Sequence, residues 1–228
     1  MKARTNVAMT AASVLAFVLA LAPPAVAAPK EAKVTPTENG AERRSGAVFG
    51  LTLGVFGVGS ASGRPNNANY LNDSRYYSAS GPMLGNTFSL FIEGALADPI
   101  SVGFFFSGGG FRNGDYAASM SGFGLRLDLY PFAVCKRCFP APMRDLALVE
   151  QLGIGTVFMT PRNDDTKKVA EGAQSFLSQG FMYDMKVAKM LGGHLSLGPE
   201  LDYAAVTTTT AEAHGFSVSF RVAFNGGP

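Results

Sequence analysis

The chain has little of what a soluble enzyme or a metalloprotein depends on. Charged residues make up 16% of its 228 residues, whereas soluble domains usually carry about a quarter. It has no Trp, two His and two Cys. The two Cys are close together but no second His/Cys cluster accompanies them, as a structural zinc ion needs, so we expect no metal and no cofactor. Beyond the N-terminus, no apolar run approaches the roughly 20 residues of a membrane-spanning helix.

The N-terminus has the three parts of a secretory signal peptide. Lys2 and Arg4 supply a basic start, Val7–Leu21 is an apolar run, and Ala25–Ala27 supplies the small residues read by signal peptidase. A retained anchor is disfavoured because the run is shorter than a membrane-spanning helix and a pair of prolines follows it. We therefore predict a signal peptide over residues 1–27, cleaved after Ala27.

Removal of this segment leaves a mature chain without net charge. Without Lys2 and Arg4, 17 of the 19 basic residues remain against 17 acidic residues. A nucleic-acid partner is not expected, because such binding needs a net basic surface. Residues 28–44 have no periodicity and predict a flexible periplasmic tail, while residues 45–228 fit one domain of ordinary size.

After residue 44, apolar residues recur at every second position. Phe123, Leu125, Leu127 and Leu129, for example, alternate with Gly, Arg and Asp. The pattern recurs in about eight segments of about ten residues, as in the strands of a transmembrane barrel. We therefore predict an all-β fold, an eight-stranded antiparallel up-and-down transmembrane β-barrel over residues 45–228. Its closure leaves no unpaired sheet edge in the membrane.

The links between the predicted strands differ in length. Val58–Gly85, Gly108–Tyr116 and Pro161–Glu171 are long and polar or Gly-rich, whereas Ala97–Pro99 is a tight turn. Such alternation is typical of barrels with long outer loops and short periplasmic turns. Pro131–Asp145 is the exception, because a short turn is expected there and the segment is long.

A soluble β-sandwich or lipocalin-like barrel is the alternative to this fold. It is disfavoured because the bulky apolar face would overfill a small barrel if it pointed inward. Pointing outward, it leaves a lumen of small residues and mixed charges that pair with each other. The predicted lumen charge network consists of Glu93, Arg126, Asp128, Asp184, Lys186, Glu200, Asp202 and Arg221.

The strings Gly124-Leu-Arg-Leu-Asp-Leu-Tyr-Pro131 and Leu197-Gly-Pro-Glu-Leu-Asp-Tyr203 are similar to strands of small outer-membrane barrels. With the strand pattern between residues 45 and 225, the chain resembles the OmpA/OmpX-type proteins and their porin-like relatives. Members of that class usually end on an aromatic residue read by the insertion machinery. Here Phe224 is followed by Asn-Gly-Gly-Pro. The resemblance implies a protein in contact with outer-membrane lipid and lipopolysaccharide, inserted by the barrel-insertion machinery, and a monomer.

Cys135 and Cys138 form the most conspicuous pair of reactive side chains. In the oxidising periplasm two nearby thiols usually form a disulfide, which here would staple the long Pro131–Asp145 link. Free thiols are the alternative. A thioredoxin-like redox role is disfavoured, because the sequence does not place the pair at a helix N-terminus.

His194 and Ser196 are spaced as in the lipid A deacylases, where His and Ser two residues apart cleave a lipid ester. Glu200 would supply the acid on the same face. The predicted topology places His194 at the periplasmic end, away from the outer leaflet, so a lumen His beside a carboxylate is favoured. Asn163–Asp165 and Asn72–Ser74 lack the spaced oxygens of a calcium loop and are interpreted as solvated loops.

Tyrosines in the outer loops offer either a contact surface or anchors near lipid headgroups. They are Tyr70, Tyr76, Tyr77 and Tyr116. The sequence favours a non-enzymatic barrel with a largely plugged lumen and a structural, adhesion or interaction role through its long loops. A narrow porin-like channel and a lipid A-modifying enzyme are the alternatives, the second disfavoured.

Overall fold

The structure is a computed structural model that describes residues 46–69, 73–97, 99–135, 137–162, 170–190 and 193–226. The predicted signal peptide (1–27) and tail (28–44) lie outside the described residues and stay predictions. Tyr70, Asn72 and Asn163–Asp165 also lie outside them.

The described chain is built almost entirely from β-strands, as its period-two apolar pattern predicts. The strands are β1 (Gly46–Gly63), β2 (Ser78–Ala79), β3 (Met83–Ala97), β4 (Ile100–Arg112), β5 (Tyr116–Leu129), β6 (Leu146–Pro161), β7 (Ala170–Tyr183), β8 (Met185–Met190), β9 (Gly193–Thr207) and β10 (Ala211–Gly226). Short 3₁₀ helices cover Ser74–Tyr76, Pro131–Ala133 and Ala141–Asp145. Within the described ranges, no helix is long and apolar enough to cross a membrane.

The sheet is antiparallel and closes on itself. Each wall strand pairs with the next, and β10 returns to pair with β1 from Val48 opposite Asn225 to Gly63 opposite Ala211. Closure pairs the two outermost strands of the sheet, so the wall has no exposed edge. The end where β1 begins and β10 finishes is called the terminal end below, and the opposite end is called the loop end.

β7 and β8 together form one strand of the wall, interrupted at Asp184. Both pair with β9 in the same register, with Met182 opposite Glu200 and Met185 opposite Leu197. Counted together they give eight wall strands, because β2 only adds a two-residue ladder to the end of β1. The predicted eight-stranded antiparallel barrel is confirmed.

The outer face of the wall is apolar and the inner face is buried. Phe104 and Leu125 point outward and are each 55% exposed, whereas their chain neighbours Phe105 and Arg126 point inward and are 1% and 0% exposed. Neighbouring side chains of a strand point to opposite faces, so this difference recurs around the wall. The alternative of a soluble β-sandwich is wrong, because the sheet is one closed wall with its bulky apolar residues outside.

The predicted Gly-rich loop from Gly108 to Tyr116 is wrong in its extent. Gly108–Gly110 belongs to β4, and the link to β5 is only residues 113–115. Glycine carries no side chain, so the period-two signal disappears there although the strand continues. A β-carbon at Gly85 on β3 would overlap the carbonyl of Gly110, so this close approach of two strands requires glycine.

Residues 130–145 form an ordered segment at the terminal end. Cys135 and Cys138 are joined by a disulfide, as predicted. The rings of Phe132 and Phe139 meet edge to face with centroids 5.0 Å apart. Arg144 Nε donates to the carbonyl of Phe139 at 3.0 Å. The long link is therefore a folded segment rather than an extended loop.

Candidate functional site: the filled lumen

The half of the lumen nearer the loop end is filled by apolar side chains. The rings of Phe105 and Phe176, from β4 and β7, lie 5.2 Å apart, and both are buried. A single cluster joins them to side chains from all around the wall. Its large members in this half are Met83, Phe91, Phe105, Phe111, Met120, Val157, Met159, Phe176 and Val206, and the cluster extends to Val48 at the terminal end.

Glycines on facing strands make room for these rings. A β-carbon at Gly50 would overlap the ring of Phe91, and one at Gly122 would overlap the ring of Phe176. A β-carbon at Gly59 would lie 2.8 Å from Phe111 Cδ1. The rings of Phe91, Phe111 and Phe176 therefore fill space that glycines leave, which gives close packing across a narrow lumen.

The half of the lumen nearer the terminal end is charged, and Arg126 lies at its centre. Arg126 Nε donates to Asp128 Oδ1 at 2.9 Å and lies 2.8 Å from Glu93 Oε1. Its Nη2 lies 3.4 Å from Glu200 Oε2, and Thr52 Oγ1 donates to the same oxygen at 3.3 Å. These carboxylates come from β3, β5 and β9, so one guanidinium links three strands of the wall.

Arg221 on β10 completes the charged layer. Its Nη2 lies 3.5 Å from Asp128 Oδ2, and its Nη1 contacts the sulfur of Met182. The guanidinium carbons of Arg126 and Arg221 lie 4.2 Å and 4.7 Å from the centroid of the Phe91 ring. Both cations therefore gain a cation–π contact with one buried ring in addition to their carboxylate partners.

The structure brings most of the predicted lumen charges together and leaves one apart. Glu93, Arg126, Asp128, Glu200 and Arg221 form the connected layer described above. Asp184 and Asp202 lie on the same inner face, and Lys186 lies outside the layer. Asp184 is buried and accepts a hydrogen bond from Tyr130 at 3.4 Å, Asp202 is half-buried, and Lys186 is exposed.

The terminal end of the lumen is closed beneath this charged layer. Tyr130, Ala133, Ala147, Val149 and Met182 form a second buried cluster. Tyr130 and Ala133 belong to the segment that carries the disulfide, so that segment lies across the lumen mouth. Sequence reasoning missed this closure, because a folded link gives no periodic signal.

The lumen phenylalanines were also missed from the sequence, which predicted a lumen of small and charged residues. The signal that could have found them is glycine at facing inward positions, as at Gly50 and Gly122.

A gap remains between the two filled layers, lined in part by Thr52, Ser178 and Asp202, with a volume of about 40 Å³. That volume holds about one to three water molecules.

Ser196, which with His194 has the spacing found in the lipid A deacylases, is bonded to groups of the wall. Ser196 is fully buried, donates a hydrogen bond to the carbonyl of Ala223 at 3.3 Å and accepts one from Asn225 at 2.9 Å. Both bonds of its hydroxyl are to residues of the neighbouring strand β10. Glu200 is engaged by Arg126. Among the described residues, no group of three or more His, Cys, Asp or Glu side chains could hold a metal ion.

At the loop end, Asn113 joins three separate links. Its Nδ2 donates to the carbonyls of Ser80 and Pro82 at 2.7 Å and 3.2 Å. Its own carbonyl accepts a hydrogen bond from Arg162 Nη1 at 3.0 Å. The short link between β4 and β5 therefore supports the longer links on both sides.

The longest described link presents two exposed aromatic side chains. Tyr76 and Tyr77 are 40% and 51% exposed, directly after Arg75. Arg75 Nη2 lies 2.7 Å from Asp73 Oδ2, and this guanidinium holds the pKa of the Asp73 carboxyl below its usual value. The backbone N–H of Arg75 also donates to Asp73 Oδ1 at 3.0 Å, which caps the 3₁₀ helix Ser74–Tyr76.

No family model matches the chain, and no curated protein matches it. Among solved structures, it is similar to the attachment invasion locus protein Ail of Yersinia pestis in complex with the heparin analogue sucrose octasulfate. The two chains are 10% identical with a TM-score of 0.46 over 78% of this chain and 99% of Ail. It is also similar to Neisserial surface protein A, with 11% identity and a TM-score of 0.40 over 79% of this chain and 99% of that one. For OprG of Pseudomonas aeruginosa, the identity is 11% and the TM-score 0.37 over 80% and 98% of the two chains.

The class of this protein follows from its own wall and lumen. A closed antiparallel barrel with an apolar exterior and a charged, filled interior pairs each wall strand with two neighbours and leaves no free sheet edge, which is what a lipid bilayer demands. The strand closure and the exposed phenylalanines and leucines meet both conditions. The chain is a small outer-membrane β-barrel protein.

Proposed function

We propose that this protein is a non-enzymatic, non-conducting outer-membrane barrel that acts through its loop-end surface, in adhesion or in another interaction. The observation that carries the proposal is the filled lumen. An apolar layer around Phe105 and a charged layer around Arg126 block the lumen in succession, and the gap between them is only about 40 Å³. A barrel that transports nothing has its outward-facing links as the surface available for recognition.

The loop end has features suited to contact with another molecule. Tyr76 and Tyr77 offer aromatic surface at low entropic cost, and Arg75 beside them offers a charged donor. The bonds of Asn113 to the carbonyls of Ser80 and Pro82 hold the end of the same link. A supported link loses less freedom on binding than a flexible one, which favours affinity.

Conductance of the refolded mature protein in planar bilayers tests the lumen half of this proposal. We expect no conductance steps in potassium chloride at voltages where a porin control conducts. Steps above the control baseline would overturn the proposal and support the narrow-channel alternative. A conducting lumen would select cations, because Glu93, Asp128, Asp184, Glu200 and Asp202 outnumber its two arginines.

Attachment of expressing cells to an epithelial monolayer tests the surface half. The double variant Tyr76→Ser/Tyr77→Ser should reduce attachment at equal surface expression. The matched control is Val134→Ser, which changes an apolar residue that is 73% exposed at the opposite, terminal end. If wild type attaches no better than empty-vector cells, adhesion is wrong. Equal loss in both variants would instead place the effect outside the loop-end surface.

A further inference from the structure

Glu150 lies on the outer face of the wall, inside the apolar region. On β6 the buried Val149 and Gln151 face the lumen, so Glu150 points outward. Its outward neighbour Leu152 is 50% exposed, and its partner across the ladder on β5 is the outward residue Leu127. A carboxyl group is thus placed where lipid chains cover the wall.

The group that Glu150 contacts is also polar and also faces outward. Gln179 lies directly opposite it on β7, and Gln179 Nε2 donates to Glu150 Oε1 at 3.3 Å. Apolar side chains lie beside the pair along the strands, among them Phe181, which is 57% exposed. On β9 the ladder partner of Gln179 is Tyr203, whose hydroxyl bonds to His214. Within the described wall, Glu150 is the one charged residue with bulky apolar outward neighbours on both sides along its strand, Leu148 and Leu152.

Lipid chains leave this pair poorly satisfied. A carboxyl group offers two acceptor oxygens and an amide offers two donors and an acceptor, whereas the pair makes one mutual hydrogen bond. Hydrocarbon supplies no partner for the remaining groups, and polar residues at such positions are costly. In membranes, polar side chains of this kind bind across contacts between protein segments.

We propose that the outer face of β6 and β7 is the contact surface of a homodimer, with Glu150 and Gln179 at its centre. The pair is self-complementary, because Glu150 is an acceptor and Gln179 carries a second donor N–H. Both lie on one rung of the ladder and so at similar depth in the membrane. A twofold axis along the membrane normal between β6 and β7 places Glu150 opposite Gln179 of the partner subunit, and the reverse.

A second copy fits this face better than lipid does for a further reason. The residues next to the pair on β6 and β7 are apolar: Leu148, Leu152, Leu177 and Phe181. Two identical faces of this kind exclude lipid from the polar centre and satisfy it by reciprocal hydrogen bonds. A homodimer departs from the monomer that the resemblance to small outer-membrane barrels implies.

Cysteine crosslinking in intact outer membranes tests the proposal. Leu152→Cys places a thiol two residues from Glu150, and Leu90→Cys on β3 is the matched control, since the two leucines are 50% and 49% exposed. The native cysteines are joined to each other and do not react. With a short bis-maleimide, we expect a dimer band from Leu152→Cys at least tenfold stronger than from Leu90→Cys.

Second substitutions in the Leu152→Cys background separate the polar contact from general crowding. Glu150→Leu and Gln179→Glu should each lower the dimer yield at least fivefold. The first removes the hydrogen-bond acceptor. The second places four carboxyl groups, two from each copy, against one another. Glu150→Gln should retain the dimer, because amides pair with amides. Each variant is first shown to be folded by its mobility shift between unheated and boiled SDS gels.

Equal yields from Leu152→Cys and Leu90→Cys, or no dimer from either, would overturn the proposal. So would a yield that Glu150→Leu leaves unchanged, since the contact would then not depend on the polar pair.

Discussion

Arg126 and Asp128 lie two residues apart on β5 and bind each other inside the lumen, with Arg126 Nε donating to Asp128 Oδ1 at 2.9 Å. Residues at this spacing share one face of a strand, so the local sequence creates the ion pair. Glu93 and Glu200 reach the same guanidinium from β3 and β9. The local pair is therefore the centre about which distant strands are joined.

Removal of this centre should destabilise the barrel. Arg126→Met keeps much of the side-chain volume but leaves Glu93, Asp128 and Glu200 without their shared cation. Breaking a buried ion pair by removing one partner costs about 3–5 kcal/mol. Urea unfolding of the refolded barrel in detergent micelles, followed by circular dichroism, should show a loss of that size in the free energy of unfolding.

The control for this measurement is Arg75→Met. Arg75 also pairs with an aspartate, Asp73, but its side chain is 83% exposed. Exposed pairs contribute about 0–1 kcal/mol, so the variant should unfold like wild type. Equal losses in Arg75→Met and Arg126→Met would contradict the assignment of stability to the lumen layer.

A methyl group added at Gly50 should disturb the same layer indirectly. Its β-carbon would overlap the ring of Phe91, on which both lumen arginines stack. Overpacking of this kind costs about 1–3 kcal/mol, so Gly50→Ala should unfold at lower urea concentration. Gly94→Ala is the matched control, because a β-carbon there meets nothing within 4 Å, and a loss as large in that variant would refute the packing argument.

The barrel could be predicted from the sequence because closure and alternation reinforce each other. Leu125 and Leu127 outside, with Arg126 between them inside, show the pattern on β5. The same alternation correctly predicted that the lumen acids and the two arginines face inward. For Lys186, the eighth predicted lumen charge, it was wrong. That residue lies on β8 near the terminal end, next to a register shift between Lys186 and Ala188, and parity alone does not tell a lumen position from an exposed rim.

The packing of the lumen could not be predicted, because it depends on which residues face each other across the barrel. Phe91 and Gly50 are neighbours through the pairing of β1 with β3, and Phe176 meets Gly122 on a strand that β7 does not pair with. These contacts depend on strand register and barrel curvature, neither of which a single strand encodes. The folded segment 130–145 likewise depends on its contact with Ala147 and Met182.

Asn113→Ala should loosen the loop end without weakening the wall. It removes the bonds to the carbonyls of Ser80 and Pro82, each worth about 0.5–1.5 kcal/mol. Amide hydrogen exchange in residues 73–82 should become faster, as should exchange at Asp115 and Tyr116, whose N–H groups donate to Asn113 Oδ1. Exchange in the rest of the paired strands should stay unchanged. The same exchange rate in wild type and variant would show that Asn113 does not support the link, and Ser119→Ala, exposed on the adjoining β5, serves as the control.

Loss of the disulfide should free the segment at the terminal end while the barrel stays folded. The bond between Cys135 and Cys138 closes a very short loop, so loop-closure entropy accounts for about 2 kcal/mol at most. Since the wall ladders do not include these residues, Cys135→Ser/Cys138→Ser should keep its mobility shift between unheated and boiled SDS gels. Cleavage by trypsin at the exposed Arg137 should become several-fold faster, because the contact of Phe132 with Phe139 and the bond of Arg144 to the Phe139 carbonyl then act without a covalent link. Val134→Ser, with the disulfide intact, should be cut at the wild-type rate, and equal rates in all three proteins would show that the bond does not order the segment.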